Sequence, residues 1–199
     1  MATTPPPERT AEAKARLRRR IRAASAKLAP ARRAAGARAL VEPVLAAVTG
    51  ADVVAGYRAL PHELDPGPAL AACQARGQAL ALPRCEGPGL MRLLRWVPGM
   101  PLTPDAAGVP APPAEAAEVR LDAAVAVLVP GLAFDAADQV RLGMGGGYYD
   151  RLLAATEALT LGIAFPHQVV VGLPRDPWDL AVDRVLVAGP APASAPAGP

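Results

Sequence analysis

Aromatic side chains are scarce in this chain of 199 residues, in which Phe, Trp and Tyr together make up 4%. Proteins that bind single-stranded nucleic acid stack bases on aromatic side chains, so this scarcity argues against such a module. Much of the apolar content is alanine, which buries little surface per residue. We therefore expect the core to depend on runs of Val and Leu.

The chain also lacks the features of secreted and membrane proteins. Cys73 and Cys85 are too few for a disulfide framework and have no metal-binding spacing, which favours ordinary thiols in a reducing compartment. Residues 1–7 contain no apolar signal-peptide core, and no apolar run approaches the roughly 20 residues that cross a bilayer. We expect a soluble, cytoplasmic and monomeric protein that does not bind membranes.

Charge is distributed unevenly, although the net charge is only +3. Residues 1–38 contain eleven Lys and Arg residues against two Glu, whereas the rest of the chain has an acidic excess. A basic amphipathic start is typical of proteins that meet an anionic partner, such as a nucleotide phosphate, a nucleic acid or a membrane surface. A solvated helix face in an arginine-rich protein explains most of these arginines equally well.

The order of apolar patterns predicts an α/β fold. Helical periodicity covers residues 9–28, where one apolar stripe is formed by Leu17, Ile21, Ala24 and Leu28. Helices then alternate with short buried strands, which favours a single-domain, layered, open sheet that is mainly parallel, with helices on both faces. We predict that the domain spans residues 9–188, between a disordered lead (1–8) and a disordered tail (189–199).

The individual elements follow from the same periodicity and from proline breaks. Pro43 should end or kink the second helix, and Pro83 should stop the second strand. Residues 90–97 fit either a strand or a helix, and residues 98–118 fit a long loop. After the first helix we predict helices at 30–41, 66–77 and 148–156, and strands at 52–57, 79–82, 123–129, 159–165 and 184–187.

A glycine-rich run follows the strand predicted at 123–129. Gly143 and Gly145–Gly147 lie close together, and a backbone with so few Cβ atoms can bring several N–H groups to one anion. Arg141 adds a full positive charge, and a helix beginning near Tyr148 would add its positive end. The run lacks the Gly-Lys-Ser/Thr of a P-loop and the spacing of a dinucleotide fingerprint. It predicts a phosphate site at the carboxyl end of the sheet, although a simple flexible turn also fits.

Two segments around this run form a long and specific pattern. They are Val129-Pro-Gly-Leu-Ala-Phe-Asp135 and Arg141-Leu-Gly-Met-Gly-Gly-Gly-Tyr-Tyr-Asp-Arg151. The pattern resembles the signature of the 5-formyltetrahydrofolate cyclo-ligase family. Weaker matches extend over most of residues 10–187 in the family's order, including Lys14-Ala-Arg-Leu-Arg18, Glu63-Leu-Asp65 and Trp178-Asp179.

The resemblance implies a ring closure that depends on ATP and Mg²⁺. In this family ATP phosphorylates the formyl oxygen of 5-formyltetrahydrofolate, the N10 amine attacks, and phosphate leaves to give 5,10-methenyltetrahydrofolate and ADP. Phosphoryl transfer of this kind needs positioning and charge neutralisation more than a covalent nucleophile. The implied partners are therefore the small molecules ATP and folate, with Mg²⁺ as the metal and without nucleic acid.

The resemblance also implies which residues meet the nucleotide. Lys14 and Arg18 of the first helix would neutralise the phosphates of ATP, with simple surface charge as the competing interpretation. Arg141 and Tyr148 are implied to be catalytic. The full set of nucleotide-binding residues implied by the resemblance is Lys14, Arg18, Arg141, Leu142, Gly143, Met144, Gly145, Gly146, Gly147, Tyr148 and Tyr149.

Further residues are implied for folate and for the metal. Folate would contact Arg58, Glu63 and Tyr149, with the Glu63 carboxylate bonding the amino-pyrimidine part of the pterin. Asp150 and Asp179 would hold Mg²⁺, a hard cation that takes few carboxylates and keeps waters. The competing interpretations are a solvated loop acid for Glu63, a first-turn helix acid for Asp150 and a loop carboxylate for Asp179.

Two segments depart from the family pattern. The segment Phe134-Asp-Ala-Ala-Asp-Gln-Val-Arg141 is one residue longer than usual and lacks a glycine before the arginine. The segment Ala107-Gly-Val-Pro-Ala-Pro112 lacks the usual aromatic residue and acid. Three other functions remain open: a non-catalytic binder of nucleotide or folate, an isomerase-like protein that binds sugar phosphates, and a nucleic-acid-binding module using the first helix.

Overall fold

The computed structural model of the protein describes residues 7–154 and 156–189. Most of the predicted disordered lead (1–8) and tail (189–199) therefore lies outside the described residues. The first helix begins at Pro7, so residues 7 and 8 are helical rather than part of the lead. None of the helices in the described ranges combines the length and the hydropathy needed to cross a bilayer.

The centre of the fold is a six-stranded sheet. Its strands are β1 (Val53–Ala55), β2 (Ala79–Gly87), β3 (Leu90–Trp96), β6 (Val125–Pro130), β9 (Leu159–Ala164) and β11 (Arg184–Val187). They lie in the order β11-β9-β6-β1-β2-β3, and all neighbours are parallel except β2 and β3 at the edge. The prediction of a mainly parallel, open α/β sheet is confirmed.

Helices cover both faces of this sheet, as the sequence predicts. They are α1 (Pro7–Ala26), α2 (Pro30–Ala39), α3 (Val41–Ala47), α4 (Gly67–Ala75) and α5 (Tyr148–Leu153). On one face α2, α3 and α4 bury Ala37, Val44 and Leu70 in a cluster that includes residues of β1, β2, β6 and β9. On the other face Leu152 of α5 packs in a second cluster with Val127 of β6.

The first helix packs on a second, smaller sheet that the sequence patterns did not predict. Its strands, in the order β10-β7-β8, are β7 (Ala133–Asp135), β8 (Arg141–Leu142) and β10 (Val169–Val170). Leu17 and Ile21 from the predicted apolar stripe pack in a cluster with Leu132, Val140 and Leu142. This contact holds α1 beside β8, which leads directly into the glycine-rich run.

Several boundaries differ from the predictions for physical reasons. Strand β2 continues through Pro83, because β1 pairs with β2 only as far as Ala81 and the missing N–H of the proline breaks no bond to β1. The second helix breaks at Leu40 rather than at Pro43, which lies in the first turn of α3, where an N–H has no partner in any helix.

The segments at 90–97 and 98–118 both contain strands. Residues 90–96 form the strand β3. The predicted loop at 98–118 contains a small antiparallel hairpin of β4 (Thr103–Pro104) and β5 (Pro110–Ala111). Strands of two residues have no detectable periodicity, which is why the sequence showed only a loop.

The glycine-rich run does not follow β6 directly, because the β7–β8 hairpin intervenes. The turn of this hairpin is the segment that is one residue longer than the family pattern and lacks its glycine. Gln139 adopts a left-handed φ of +59° there, a conformation that glycine more usually supplies. Gln139 thus replaces the glycine in the turn, and Arg141 still pairs with Phe134 in β8.

Replacing Gly162 of β9 with Ala should destabilise the fold. A Cβ at this position would come within 2.5 Å of the ring of Phe134, which is fully buried and cannot move aside. We expect a loss of about 1–3 kcal/mol in the free energy of unfolding, measured by urea denaturation. The control is Gly50→Ala, because a Cβ there meets nothing within 4 Å, and its effect should stay within about 0.5 kcal/mol. Equal unfolding midpoints for the two variants would contradict this packing.

Candidate active site

Two cavities meet at residues 143–147, which we call the glycine wall. The first, the apolar pocket, has about 930 Å³ of empty volume, and its lining includes Tyr57, Glu63, Met91 and Tyr149. The second, the polar groove, has about 1530 Å³, and its lining includes Lys14, Arg18, Asp176 and Asp179. Residues that line both cavities are Gly143, Gly146, Gly147 and Asp150. Ligands in the two cavities would therefore contact the same short stretch of chain.

Lys14 is the buried cation of the polar groove. Its side chain is only 7% exposed, and its ammonium donates to Asp176 Oδ2 at 2.6 Å and also to Asp179 Oδ2. Asp179 Oδ2 accepts the backbone N–H of Asp176 at 2.7 Å as well. A buried charge without a partner is very costly, so these carboxylates fix the lysine and the loop at 176–179 relative to each other.

Arg18 lies one turn further along α1 and reaches the glycine wall. Its Nε donates to the carbonyl oxygen of Gly143 at 2.9 Å. The spacing of four residues places Arg18 on the same face of the helix as Lys14, and both side chains line the polar groove. The structure thus brings together the two cations that the sequence assigned to phosphate binding.

Arg141 is the buried cation beside the glycine wall. Its side chain is 6% exposed, and its Nη2 donates to Asp150 Oδ1 at 2.5 Å. Its Nη1 donates to the carbonyl oxygen of Pro130 at 3.3 Å, and its Cζ lies 5.5 Å from the ring centre of Tyr149. These contacts join β8 to the end of β6 and to α5. Arg141 lines the apolar pocket, whereas the cations of α1 line the polar groove.

The glycine wall has a backbone that other residues rarely adopt. Gly145 has a φ of +104° and Gly147 a φ of +64°, both in the range that favours glycine. Arg151 holds the wall by donating to the carbonyl oxygen of Gly146 at 2.5 Å. Among the described residues, the N–H groups of Gly145, Gly146 and Gly147 donate no hydrogen bond. Three unpaired N–H groups in a glycine-rich bend can receive an anion.

Glu63 supplies the carboxylate of the apolar pocket. Burial raises its pKa, against the opposing effects of the Leu60 N–H, which donates to Oε2 at 2.9 Å, and of the Arg141 charge. Burial also raises the pKa of Tyr149, and the Glu63 charge acts in the same direction. The hydroxyl of Tyr149 is buried and has no hydrogen-bond partner among the described residues. The pocket therefore offers a ligand a few polar atoms in apolar surroundings.

Every residue that the sequence assigned to the site lines one or both cavities. Those beside the apolar pocket are Arg58, Glu63, Arg141, Met144, Tyr148 and Tyr149. Those beside the polar groove are Lys14, Arg18, Leu142, Gly145 and Asp179. The remaining assigned residues are the four shared ones. The residues implied to be catalytic, Arg141 and Tyr148, thus lie on the pocket side of the wall.

Two acids beside the cavities were not among the residues predicted for the site. Asp176 shares Lys14 with Asp179, and its position three residues before Asp179 is the signal that could have found it. Asp105 accepts the N–H of Cys85 at 2.9 Å beside the apolar pocket. Burial, together with the Asp105 charge, raises the pKa of Cys85 to about 11. This thiol is therefore protonated at neutral pH and is a poor nucleophile.

The acids of the polar groove fit a metal that arrives with a nucleotide. In the described ranges, no group of three or more Asp, Glu, His or Cys side chains could hold a metal ion. Asp150 and Asp179 both line the polar groove, and each already pairs with a cation, Arg141 and Lys14 respectively. Mg²⁺ is commonly bound by one or two carboxylates together with substrate phosphates and waters. Two partly neutralised carboxylates suit this mode and do not suit a cage made of protein ligands alone.

Comparison with known proteins decides the family. The model of the 5-formyltetrahydrofolate cyclo-ligase family matches residues 10–188. This chain belongs to that family. The match includes every described strand and all of the helices except the start of α1, and it includes every residue that lines the two cavities.

Individual relatives agree with this assignment. The chain is 31% identical over 148 residues to the 5-formyltetrahydrofolate cyclo-ligase of Escherichia coli, which is 70% of this chain and 79% of that protein. It is 34% identical over 98 residues to the cyclo-ligase of Haemophilus influenzae, which is 47% of this chain but only about half, 52%, of that relative. The NMR structure of Aquifex aeolicus 5,10-methenyltetrahydrofolate synthetase superposes with a TM-score of 0.75 and 31% identity, covering 88% of this chain and 89% of that one.

The segment at 107–112 contributes aliphatic side chains to the apolar pocket. Ala107 and Val109 both line it. The aromatic rings in the lining belong to Tyr57, Tyr148 and Tyr149.

Replacing Glu63 with Gln should stabilise the free protein near neutral pH. The raised pKa means that the fold disfavours the charged carboxylate, and a neutral amide can still accept the Leu60 N–H. The midpoint of urea unfolding at pH 7 should rise. As the pH falls below the ordinary range of a glutamate, the carboxyl is protonated in both the folded and unfolded states, so the difference from the parent protein should disappear.

The control for this prediction is Glu115→Gln, because Glu115 is exposed. That variant should leave the unfolding midpoint unchanged at pH 7. A parent protein that is more stable than Glu63→Gln at neutral pH would show that the pocket stabilises the charged carboxylate instead.

Proposed function

We propose that this protein catalyses the ATP- and Mg²⁺-dependent cyclisation of 5-formyltetrahydrofolate to 5,10-methenyltetrahydrofolate. In this reaction the γ-phosphoryl group of ATP moves to the formyl oxygen and ADP leaves. N10 then attacks the formyl carbon and gives up its proton, and the bond between this carbon and the phosphorylated oxygen breaks to release phosphate. The names of the relatives from Escherichia coli and Aquifex aeolicus support this reaction.

The observation that carries the proposal is the glycine wall shared by two cavities of opposite character. Phosphoryl transfer between two substrates requires that both reach one point in an aligned arrangement. Gly143, Gly146, Gly147 and Asp150 line both cavities, so substrates on either side would meet there. A sugar-phosphate isomerase binds one substrate and has no need of two such cavities.

The polar groove offers what a triphosphate requires. An ammonium has three donors, and Lys14 uses two of them for Asp176 and Asp179, which leaves one for a phosphate oxygen. Arg18 uses its Nε for Gly143, and its terminal nitrogen Nη2 lies close to Gly145. The unpaired N–H groups of the glycine wall supply further donors. We therefore place ATP in this groove.

Asp150 and Asp179 would hold Mg²⁺ together with oxygens of the nucleotide. Each carboxylate has one oxygen, Oδ2 of Asp150 and Oδ1 of Asp179, that accepts no hydrogen bond from the residues the structure describes. When bound, the ion would neutralise charge on the phosphates. Lys14 and Arg141 would hold both carboxylates in place.

The apolar pocket would hold the folate. Glu63 would accept hydrogen bonds from the amino-pyrimidine part of the pterin, and the unpartnered hydroxyl of Tyr149 would gain a partner. Arg141 is the cation that lines this pocket at the glycine wall. We assign it the role of stabilising the charge that develops on the transferred phosphoryl group. Tyr148 lines the pocket beside it.

A non-catalytic binder of nucleotide and folate is the second candidate, since it would need the same two cavities. Only the enzyme would convert 5-formyltetrahydrofolate, so measurable turnover distinguishes it from the non-catalytic binder. The monomeric state and the cytoplasmic location remain predictions from the sequence.

Purified protein mixed with Mg²⁺, ATP and 5-formyltetrahydrofolate should show growing methenyl absorbance in the near ultraviolet. The signal should require ATP, because no other group present can activate the formyl oxygen. Samples without ATP, and samples in which EDTA removes the Mg²⁺, are the controls. A protein that binds ATP and gives no signal would be the non-catalytic binder, and the proposed reaction would be wrong.

Replacing Gly147 with Ala should weaken ATP binding. The φ of +64° strains an alanine, and its Cβ would lie 2.8 Å from a guanidinium nitrogen of Arg151, so either the wall or the arginine that holds it must shift. We expect the KM for ATP to rise at least about tenfold, which corresponds to the loss of one good hydrogen bond to a charged group.

The matched control for Gly147 is Gly172→Ala. Gly172 has a similar φ of +71°, but a Cβ there meets nothing within 4 Å and the residue lies outside both cavities. Both variants should lose comparable thermal stability, whereas the KM for ATP should change only in Gly147→Ala. A KM that rises equally in both would mean that backbone strain, rather than the wall, is responsible.

A further inference from the structure

Trp178 is an exposed aromatic residue in a protein that has very few of them. Its side chain is 69% exposed, and it belongs to none of the three core clusters of the described residues. The other tryptophan of the chain, Trp96, packs against the core. An indole contributes strongly to binding when a ligand covers it, so its surroundings decide what it does.

These surroundings are the polar groove. Trp178 lines the same cavity as Lys14, Arg18 and three glycines of the wall at 145–147, and it does not line the apolar pocket. The groove thus combines cations and unpaired N–H groups with one large aromatic face. A nucleoside triphosphate has the complementary combination, an anionic chain joined to a flat aromatic base.

The loop that bears Trp178 is held in place from several sides. Asp176 and Asp179 flank the tryptophan in the chain, and both bind the buried Lys14. The N–H of Asp179 donates to the carbonyl oxygen of Asp176 at 3.1 Å, which closes the turn around Trp178. The backbone N–H of Arg141 donates to the carbonyl oxygen of Leu180 at 3.2 Å and so ties the loop to β8. An indole on such a loop is positioned before a ligand binds, which lowers the entropic cost of binding.

From this placement we infer that Trp178 is the platform on which the base of the nucleotide stacks, and that it makes the polar groove prefer purine to pyrimidine triphosphates. The inference rests on the proposed function, because it extends the triphosphate site to the base. Stacking of one base on an aromatic side chain strengthens binding by about 5- to 100-fold. A purine has the larger π-face and therefore gains more than a pyrimidine.

Calorimetric titration of the full chain tests this inference without relying on turnover. The ligands are ATP, CTP and inorganic tripolyphosphate, each with Mg²⁺, and the proteins are the parent, Trp178→Ala and Trp178→Phe. Val171→Ala is the control, because Val171 is 78% exposed and lies outside the groove. We expect Trp178→Ala to weaken ATP binding about 5- to 50-fold and CTP binding less. Tripolyphosphate binding should stay within twofold, and Trp178→Phe should retain most of the ATP affinity.

The inference would be overturned if Trp178→Ala bound ATP within twofold of the parent and of Val171→Ala. It would also be overturned if the variant lost equal affinity for ATP and tripolyphosphate, since Trp178 would then act on the phosphates. Failure of the proposed function gives a different result, namely ATP binding that depends on Trp178 without methenyl formation. A parent chain that does not bind ATP would overturn both.

Discussion

The ion pair between Arg141 and Asp150 is the contact on which the site depends. The arginine side chain is almost fully buried, and a buried guanidinium without a carboxylate is strongly destabilising. The pair joins β8 to the first turn of α5, so the eight residues between its partners must arch between two fixed ends. Glycines make that arch possible, because two of them take up backbone angles that other residues avoid. The shape of the glycine wall thus follows from where one charge is buried.

Lys14 is a second buried cation that joins distant parts of the chain. It is buried against two carboxylates that lie more than 160 residues further along, and so it joins α1 to the loop at 176–179. Two buried cations therefore determine how the first helix, the glycine wall and the late loop meet. Charges held in this way are oriented before a substrate arrives, which is how enzymes stabilise phosphoryl transfer at little cost of reorganisation. The polar residues of the site are consequently also part of what holds the fold together.

The elements with a long local pattern could be predicted from the sequence. The stripe of α1 and the apolar runs of β6, β9 and β11 give regular signals over four or more residues, and the structure has these elements close to where they were expected. The small sheet could not be predicted, because its strands have only two or three residues and form through contacts with α1 and with each other. The passage of β2 through Pro83 likewise depends on where the neighbouring strand stops pairing.

The residues of the candidate site also include some that the sequence could predict and some that it could not. The residues of the signature run were predictable because they are contiguous, and the structure places all of them beside one cavity or the other. Asp105 was not predictable, since it matters through a partner distant in sequence, whereas the position of Asp176 three residues before Asp179 is a signal that the prediction did not use. The exposure of Trp178 could not be predicted either, because an apolar residue in a loop is as often buried as exposed. Sequence patterns thus indicated the chemistry, and the structure added how the two cavities share the wall.

The most direct test of this account is an NMR titration that follows the backbone amides of Gly145, Gly146 and Gly147. If the glycine wall receives the phosphates, adding ATP with Mg²⁺ should shift these three amides strongly, and adding adenosine with Mg²⁺ should not. Unchanged amide shifts in the presence of saturating ATP would show that the triphosphate binds elsewhere, and the account of the wall would be wrong.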